Sequence, residues 1–157
     1  MKDKTSILMV CLGNICRSPL AEGLMRSKLN FTKFNVDSAG TSGGHKGEAP
    51  DKRSIEIAAK NSLDISQQRS RKLTVEDLEE FDYIYVMDSS NLTDVLGMTT
   101  TDSQRQKIRK ILDVSFPGED LDVPDPYYGG DQGFVNIYKM LDQVTTSIGK
   151  ELESKEN

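Results

Sequence analysis

The chain has no tryptophan, one histidine and two cysteines among 157 residues, and its apolar runs are short. The lone histidine, His45, sits on the glycine-rich stretch 41–47, away from both cysteines, so a Cys–His dyad of the protease kind has little support. Cys11, Cys16 and one histidine supply no usual zinc ligand set, and neither a metal nor a cofactor is expected. Two cysteines four residues apart fit a reducing compartment, where thiols serve chemistry more often than scaffolding. The first apolar run, residues 7–12, is too short for a signal-peptide core and far too short to span a bilayer. A soluble cytoplasmic protein with no membrane partner is therefore expected. A net charge of −5 gives no electrostatic reason to seek nucleic acid. Two basic clusters remain, Arg69, Arg71 and Lys72, then Arg105, Lys107, Arg109 and Lys110. Both read as solvated faces or a helix C-terminus, and the first alternatively borders an anion pocket.

Against these absences stands one informative stretch, Val10-Cys11-Leu12-Gly13-Asn14-Ile15-Cys16-Arg17-Ser18-Pro19. It puts a thiol, a guanidinium and a hydroxyl on a short loop leading into a helix. Five residues between Cys11 and Arg17 let the loop curl so that several backbone N–H groups point at one centre, as in a nest that binds a tetrahedral anion. Ser18 reads as the helix N-cap and Pro19 as its first residue, which aims the positive end of the helix dipole into the concavity. A helix N-terminus, an arginine and amide donors all favour thiolate over thiol at Cys11.

The rest of the chain alternates strands and helices. Strands are expected at 6–10, 34–38 and 83–87, with a weaker fourth at 111–114; residues 6–10 read as a buried parallel strand. Helical patterns cover 19–29, 51–61, 89–97 and 102–110, and a short helix opens at Thr74, where Thr-Val-Glu-Asp resembles a capping box. The last helix, about 132–151, carries Phe134, Ile137, Leu141, Val144 and Ile148 at helical spacing, and residues 150–157 read as a fraying polar end. The alternation implies an α/β domain spanning 1–157, with right-handed crossovers and a sheet covered on both faces. Ligands in such folds bind outside the carboxyl ends of the strands, where the cysteine loop begins. Residues 113–133 break the pattern, with Pro117, Pro124, Pro126 and four glycines. Asp125 lies between two of those prolines, which restrict its carboxylate to a limited arc. Asp122 and Asp131 read as solvent-exposed loop residues.

Cys-Leu-Gly-Asn-Ile-Cys-Arg-Ser-Pro, joined to the distant Asp125-Pro126-Tyr127-Tyr128, closely resembles the low-molecular-weight protein tyrosine phosphatase family. Asp37-Ser38-Ala39-Gly40 and Met87-Asp88-Ser89-Ser90-Asn91 extend the resemblance over nearly the whole chain. It implies a three-layer sandwich with a central four-stranded parallel sheet, and hydrolysis of phosphotyrosine in proteins or of small aryl phosphates, releasing inorganic phosphate. In that reading Cys11 is the nucleophile, and Arg17 with the loop residues Leu12, Gly13, Asn14, Ile15, Cys16 and Ser18 binds the phosphoryl group. Asp125 is the acid and then the base, and Tyr127 and Tyr128 flank the substrate ring. Asn14 and Ser38 support the loop, and Cys16 forms a disulfide with Cys11 under peroxide that shields it from irreversible oxidation. Two departures stand out. A histidine that usually joins the supporting network aligns with Gln68, and a tryptophan common in the opposite wall of the groove is missing from residues 41–47.

Three other readings compete. An arsenate reductase shares the loop but needs further cysteines for its disulfide relay, and this chain has none beyond Cys16. A protein arginine phosphatase is nearer, although that subgroup tends to carry threonine where this chain has Ile15. A phosphoprotein-binding module without turnover would require loss of the thiol or the acid, and both are present.

Overall fold

The computed structural model describes residues 3–127 and 129–156. Strands β1 (Thr5–Cys11), β2 (Phe34–Gly40), β3 (Tyr83–Val86) and β4 (Ile108–Lys110) form one parallel sheet in the order β2-β1-β3-β4. Helices α1 (Arg17–Lys28), α2 (Lys52–Lys60), α3 (Asp77–Glu80), α4 (Ser89–Leu96), α5 (Asp102–Gln106) and α6 (Asp131–Glu156) make the connections and the outer layers. The alternation of side chains along β1 explains its unbroken apolar run. Ile7, Met9 and Cys11 face a core built with α1 and α6, while Leu8 and Val10 face a second core with Ile84, Val86 and Val95. No helix is long and apolar enough to cross a membrane among the described residues.

Two helices start on aspartate caps. Asp51 receives the Arg53 N–H at 2.8 Å and starts α2, and Asp88 receives the Asn91 N–H at 2.8 Å and starts α4. Each such cap is worth about 0.5–2 kcal/mol. Near Thr74 the acid half of the expected box forms, since the Asp77 carboxylate accepts the Thr74 N–H at 2.8 Å.

Four expectations are corrected. The fourth strand is residues 108–110, and 111–114 instead opens with a 3-10 turn, Ile111–Asp113; the ladder to β3 pairs Ile84 with Ile108 and closes at Lys110. The pattern expected as a helix over 102–110 therefore stops at Gln106. Ser18 is not the cap of α1: the helix already includes Arg17, Cys16 precedes it, and the Ser18 hydroxyl is turned toward Cys11 instead. The polar end remains helical to Glu156, because Leu152 is buried against the core and Lys155 pairs with Glu151 one turn back.

Parallel strands deliver Cys11 to the carboxyl edge of the sheet, where its ladder partner is Gly40. That position admits no side chain, since a Cβ on Gly40 would stand 2.7 Å from the Leu12 carbonyl oxygen and 3.1 Å from the Asn14 nitrogen. The loop after Cys11 thus lies directly against the end of β2.

Candidate active site

The loop Leu12–Cys16 turns back on itself through Asn14, whose φ of +56° is uncommon for a residue other than glycine. Its conformation is fixed by its own side chain. The Asn14 amide donates from Nδ2 to Ser18 Oγ (2.8 Å) and Ser38 Oγ (2.9 Å), and its Oδ1 accepts the Arg71 N–H at 3.1 Å. Ser70 Oγ donates to the Gly13 carbonyl at 2.9 Å. The loop closes over Cys11, with the Asn14 N–H 3.3 Å and the Ser18 hydroxyl 3.0 Å from Sγ.

The direction of these bonds can be worked out from Glu22, a buried carboxyl that accepts the Ser38 hydroxyl proton at 2.6 Å. Ser38, having donated to Glu22, accepts from Asn14, and Asn14 spends its two amide protons on Ser38 and Ser18. The Ser18 proton is then left to face sulfur, so the chain from Glu22 ends as a donor to Cys11. Burial raises the Glu22 pKa, against the Ser38 hydrogen bond and the nearby Arg26 guanidinium. Sequence reasoning missed Glu22, yet a signal was present: Ser18, Glu22 and Arg26 recur every four residues, one stripe along α1, in step with Asn14 on the loop before it. Gln68 takes no part in that chain. It donates to the Pro19 carbonyl at 3.1 Å, and no donor among the described residues reaches its buried Oε1. Support for the loop runs through Glu22 instead.

Arg17 is buried and held by two partners. Its Nη1 donates to Asp88 Oδ2 at 2.7 Å and to the Val123 carbonyl at 2.9 Å, and Nη2 lies 3.8 Å from Asp125 Oδ2. Asp88 thus caps α4 with one oxygen and orients the guanidinium with the other, a role the sequence did not reveal. Asp125 accepts the Tyr127 N–H at 3.0 Å through Oδ1, which turns Oδ2 toward Arg17.

Cys11, Arg17 and Asp125 line one cleft of about 210 Å³, together with Tyr127 and His45. Leu12 lines the same cleft and is half exposed, and Gly13, Ile15 and Cys16 complete the side formed by the loop. Tyr128 lies outside the described residues. His45, expected to sit apart, is brought into the cleft, with its ring 6.3 Å from that of Tyr127. Its Nδ1 is 2.9 Å from Glu48 Oε2, while the partners of Cys11 Sγ are Ser18 and Asn14, so the imidazole forms a wall rather than a dyad. It stands where the sequence lacks an aromatic. Burial, helped by the charges of Asp51, Cys11 and Asp125, pushes the Cys16 thiol up to about 12. No cluster fit to hold a metal ion occurs among the described residues.

The first basic cluster stays out of the cleft. Arg71 pairs with Asp37 (3.0 Å) and Asp77 (2.9 Å), and Arg69 donates to the carbonyls of Ser66 and Gln68. In the second cluster Arg105 and Arg109 pair with acids, but Lys110 is buried, contrary to the solvated face expected of it.

The family described as low molecular weight phosphotyrosine protein phosphatase matches residues 6–157. The chain belongs to that family. It is 39% identical over 146 residues to the low molecular weight phosphotyrosine protein phosphatase of Schizosaccharomyces pombe, covering 90% of this chain and 92% of the relative. The crystal structure of a protein tyrosine phosphatase from Entamoeba histolytica is 34% identical, with a TM-score of 0.90 over 98% of this chain and 100% of that one. The structure of the YwlE arginine phosphatase is also similar, at 25% identity and a TM-score of 0.84 over 95% of this chain and 96% of that one. A protein tyrosine phosphatase and an arginine phosphatase are thus both similar to this chain in fold.

Proposed function

We propose that the chain hydrolyses phosphotyrosine in proteins, and small aryl phosphates, through a phosphocysteine intermediate. The observation that carries the reading is the convergence of Cys11, Arg17 and Asp125 on one cleft with a tyrosine on its wall. The Cys11 thiolate attacks phosphorus in line as the P–O bond to the phenol breaks. Arg17 and the loop N–H groups hold the equatorial oxygens, whose charge they neutralise through the transition state. Asp125, protonated at this stage, gives its proton to the departing phenolate. In the second half, water attacks phosphorus while losing a proton to the Asp125 carboxylate, and the S–P bond breaks to return thiolate and inorganic phosphate. The Ser18 hydroxyl, directed at sulfur, stabilises the thiolate as it leaves.

Tyr127 and His45 bracket the ring of the substrate. Ile15 offers no hydroxyl toward a guanidinium, which favours a flat aryl group over phosphoarginine. The two thiols fit a cytoplasmic enzyme. Phosphotyrosyl, phosphoseryl and phosphoarginyl peptides tested beside an aryl phosphate check the reading. Turnover of the phosphotyrosyl peptide and the aryl phosphate is expected, with the other two slower by tenfold or more, about 1.4 kcal/mol or greater in the barrier. Preference for phosphoarginine would replace the reading, and phosphate release from none would make the chain a binding module.

Cys16 shares the cleft with Cys11, and both are free thiols. Under peroxide the Cys11 sulfenic acid condenses with the Cys16 thiol, releasing water and stopping the oxidation before the sulfinic stage. Brief peroxide is therefore expected to inactivate the wild type reversibly by dithiol, and Cys16→Ser far less reversibly. Equal recovery of activity in both would deny Cys16 a protective role.

A further inference from the structure

We propose that Lys110, at the carboxyl end of β4, is a positioning residue for the acid: its buried ammonium ties down the loop that carries Asp125. The proposal rests on the reading of Asp125 as general acid. Between Asp113 and Asp131 the chain forms no helix or strand among its described residues, so it is fixed by separate tethers, several of them from side chains. Lys110, 1% exposed, is the tether on the near side. Its Nζ lies 2.7 Å from Asp120 Oδ1, 3.1 Å from the Asp120 carbonyl, 2.6 Å from Asp122 Oδ1 and 2.9 Å from Ser89 Oγ. An ammonium taken out of water is costly unless it is paired and hydrogen-bonded, and here both carboxylates belong to the loop.

Asp120 adopts a φ of +54°, uncommon for a residue with a side chain, and presents both its carbonyl and its carboxylate to the same ammonium. Asp122, expected from sequence to be a solvated loop acid, also accepts from the Ser89 N–H (3.1 Å) and hydroxyl (3.2 Å). Its pKa is lowered, first by the Lys110 hydrogen bond. The next residue is locked in turn, since the Val123 N–H donates to Met87 at 2.8 Å and its carbonyl accepts from Arg17. Only Pro124, whose φ is fixed by its ring, then separates Val123 from Asp125. On the far side Arg53 donates to the carbonyls of Tyr127 (2.9 Å) and Gly129 (3.1 Å). The acid is thus held between two cations, and Lys110 acts from outside the cleft, where it touches no substrate.

A merely structural lysine and a positioning lysine differ in which substrate suffers. Lys110→Met is expected to lower kcat/KM on a phosphotyrosyl peptide about tenfold or more, a part of the ~10²–10⁴ that an acid supplies. It should leave kcat/KM on dinitrophenyl phosphate, which reports phosphoenzyme formation and not the later attack of water, within about twofold and inorganic phosphate inhibition unchanged, since that leaving group needs no proton. Lys110→Arg should recover part of the loss. In an Asp125→Asn background, adding Lys110→Met should cost little more, because both changes remove one function. Should Lys110→Met fail to fold, Asp120→Asn with Asp122→Asn makes the same test through the loop side of the tether. Equal losses on both esters, or losses that add in the double variant, overturn the proposal while leaving Asp125 in place. An Asp125→Asn enzyme with no leaving-group contrast of its own would overturn the acid reading and the proposal with it.

Discussion

Cys11→Ser is expected to lose turnover by about 10⁴-fold or more while phosphate and vanadate still bind. The serine hydroxyl ionises far less readily than a thiol, so attack on phosphorus all but stops. The anion site remains, because its donors are the loop N–H groups, of which the Asn14 N–H touches sulfur, and an Arg17 held by Asp88 and Val123. The change is also small for the core, where Cys11 ends β1 beside Ile7 and Met9. A thermal melt near that of the wild type, measured beside the phosphate dissociation constant, separates lost chemistry from lost structure. Retention of a tenth of wild-type activity would exclude covalent catalysis at this residue.

The second large effect is expected from Asp125→Asn, and it depends on the substrate. A phenolate with a high pKa leaves slowly unless protonated, so phosphotyrosine turnover should fall by about 10²–10⁴. An activated nitrophenyl ester should lose much less in its first step. If the same carboxylate also activates water, the variant should accumulate phosphoenzyme, visible as a burst of nitrophenol followed by slow turnover. Neighbouring acids provide the comparison. Asp131, exposed at the start of α6, should behave as wild type when changed to Asn, whereas Asp122, bound to Lys110 and Ser89, should not be silent. A uniform loss of kcat/KM on both esters, or the selective loss appearing at Asp131, would remove Asp125 from the mechanism.

Local sequence carried a large share of this. The buried strand before Cys11 and the starts of α2 and α4 owe their placement to neighbours in the chain, and the flanking prolines mark Asp125 as an acid of restricted backbone, so a reader of the sequence can find them. The fourth strand was misplaced because Ile108, Arg109 and Lys110 have no strand signature of their own; pairing with Ile84, Tyr85 and Val86 decides their conformation. Ser18 was misread as a cap for a related reason. A serine before a proline fits a helix start, but the pull of Asn14 and Cys11 on its hydroxyl is tertiary. Likewise His45 is far from Tyr127 in sequence and near it only after β2 turns back over the loop. Lys110 was the hardest to see, since a lysine in a basic cluster looks solvated until the loop bearing Asp120 and Asp122 closes over it.

Cys11 and Asp125 are also anchored in different ways, and this bears on how the protein breathes. Cys11 is the last rung of a parallel ladder with Gly40, on the central strand of the sheet next to β3. Amides there open to solvent only when the whole sheet opens, at close to the full free energy of unfolding. Asp125 hangs on side-chain tethers across a stretch without ladder bonds, and such stretches open at a fraction of that cost. Excursions of the loop are therefore expected to outnumber excursions of the thiol, leaving the loop around Cys11 formed while Asp125 is out of place.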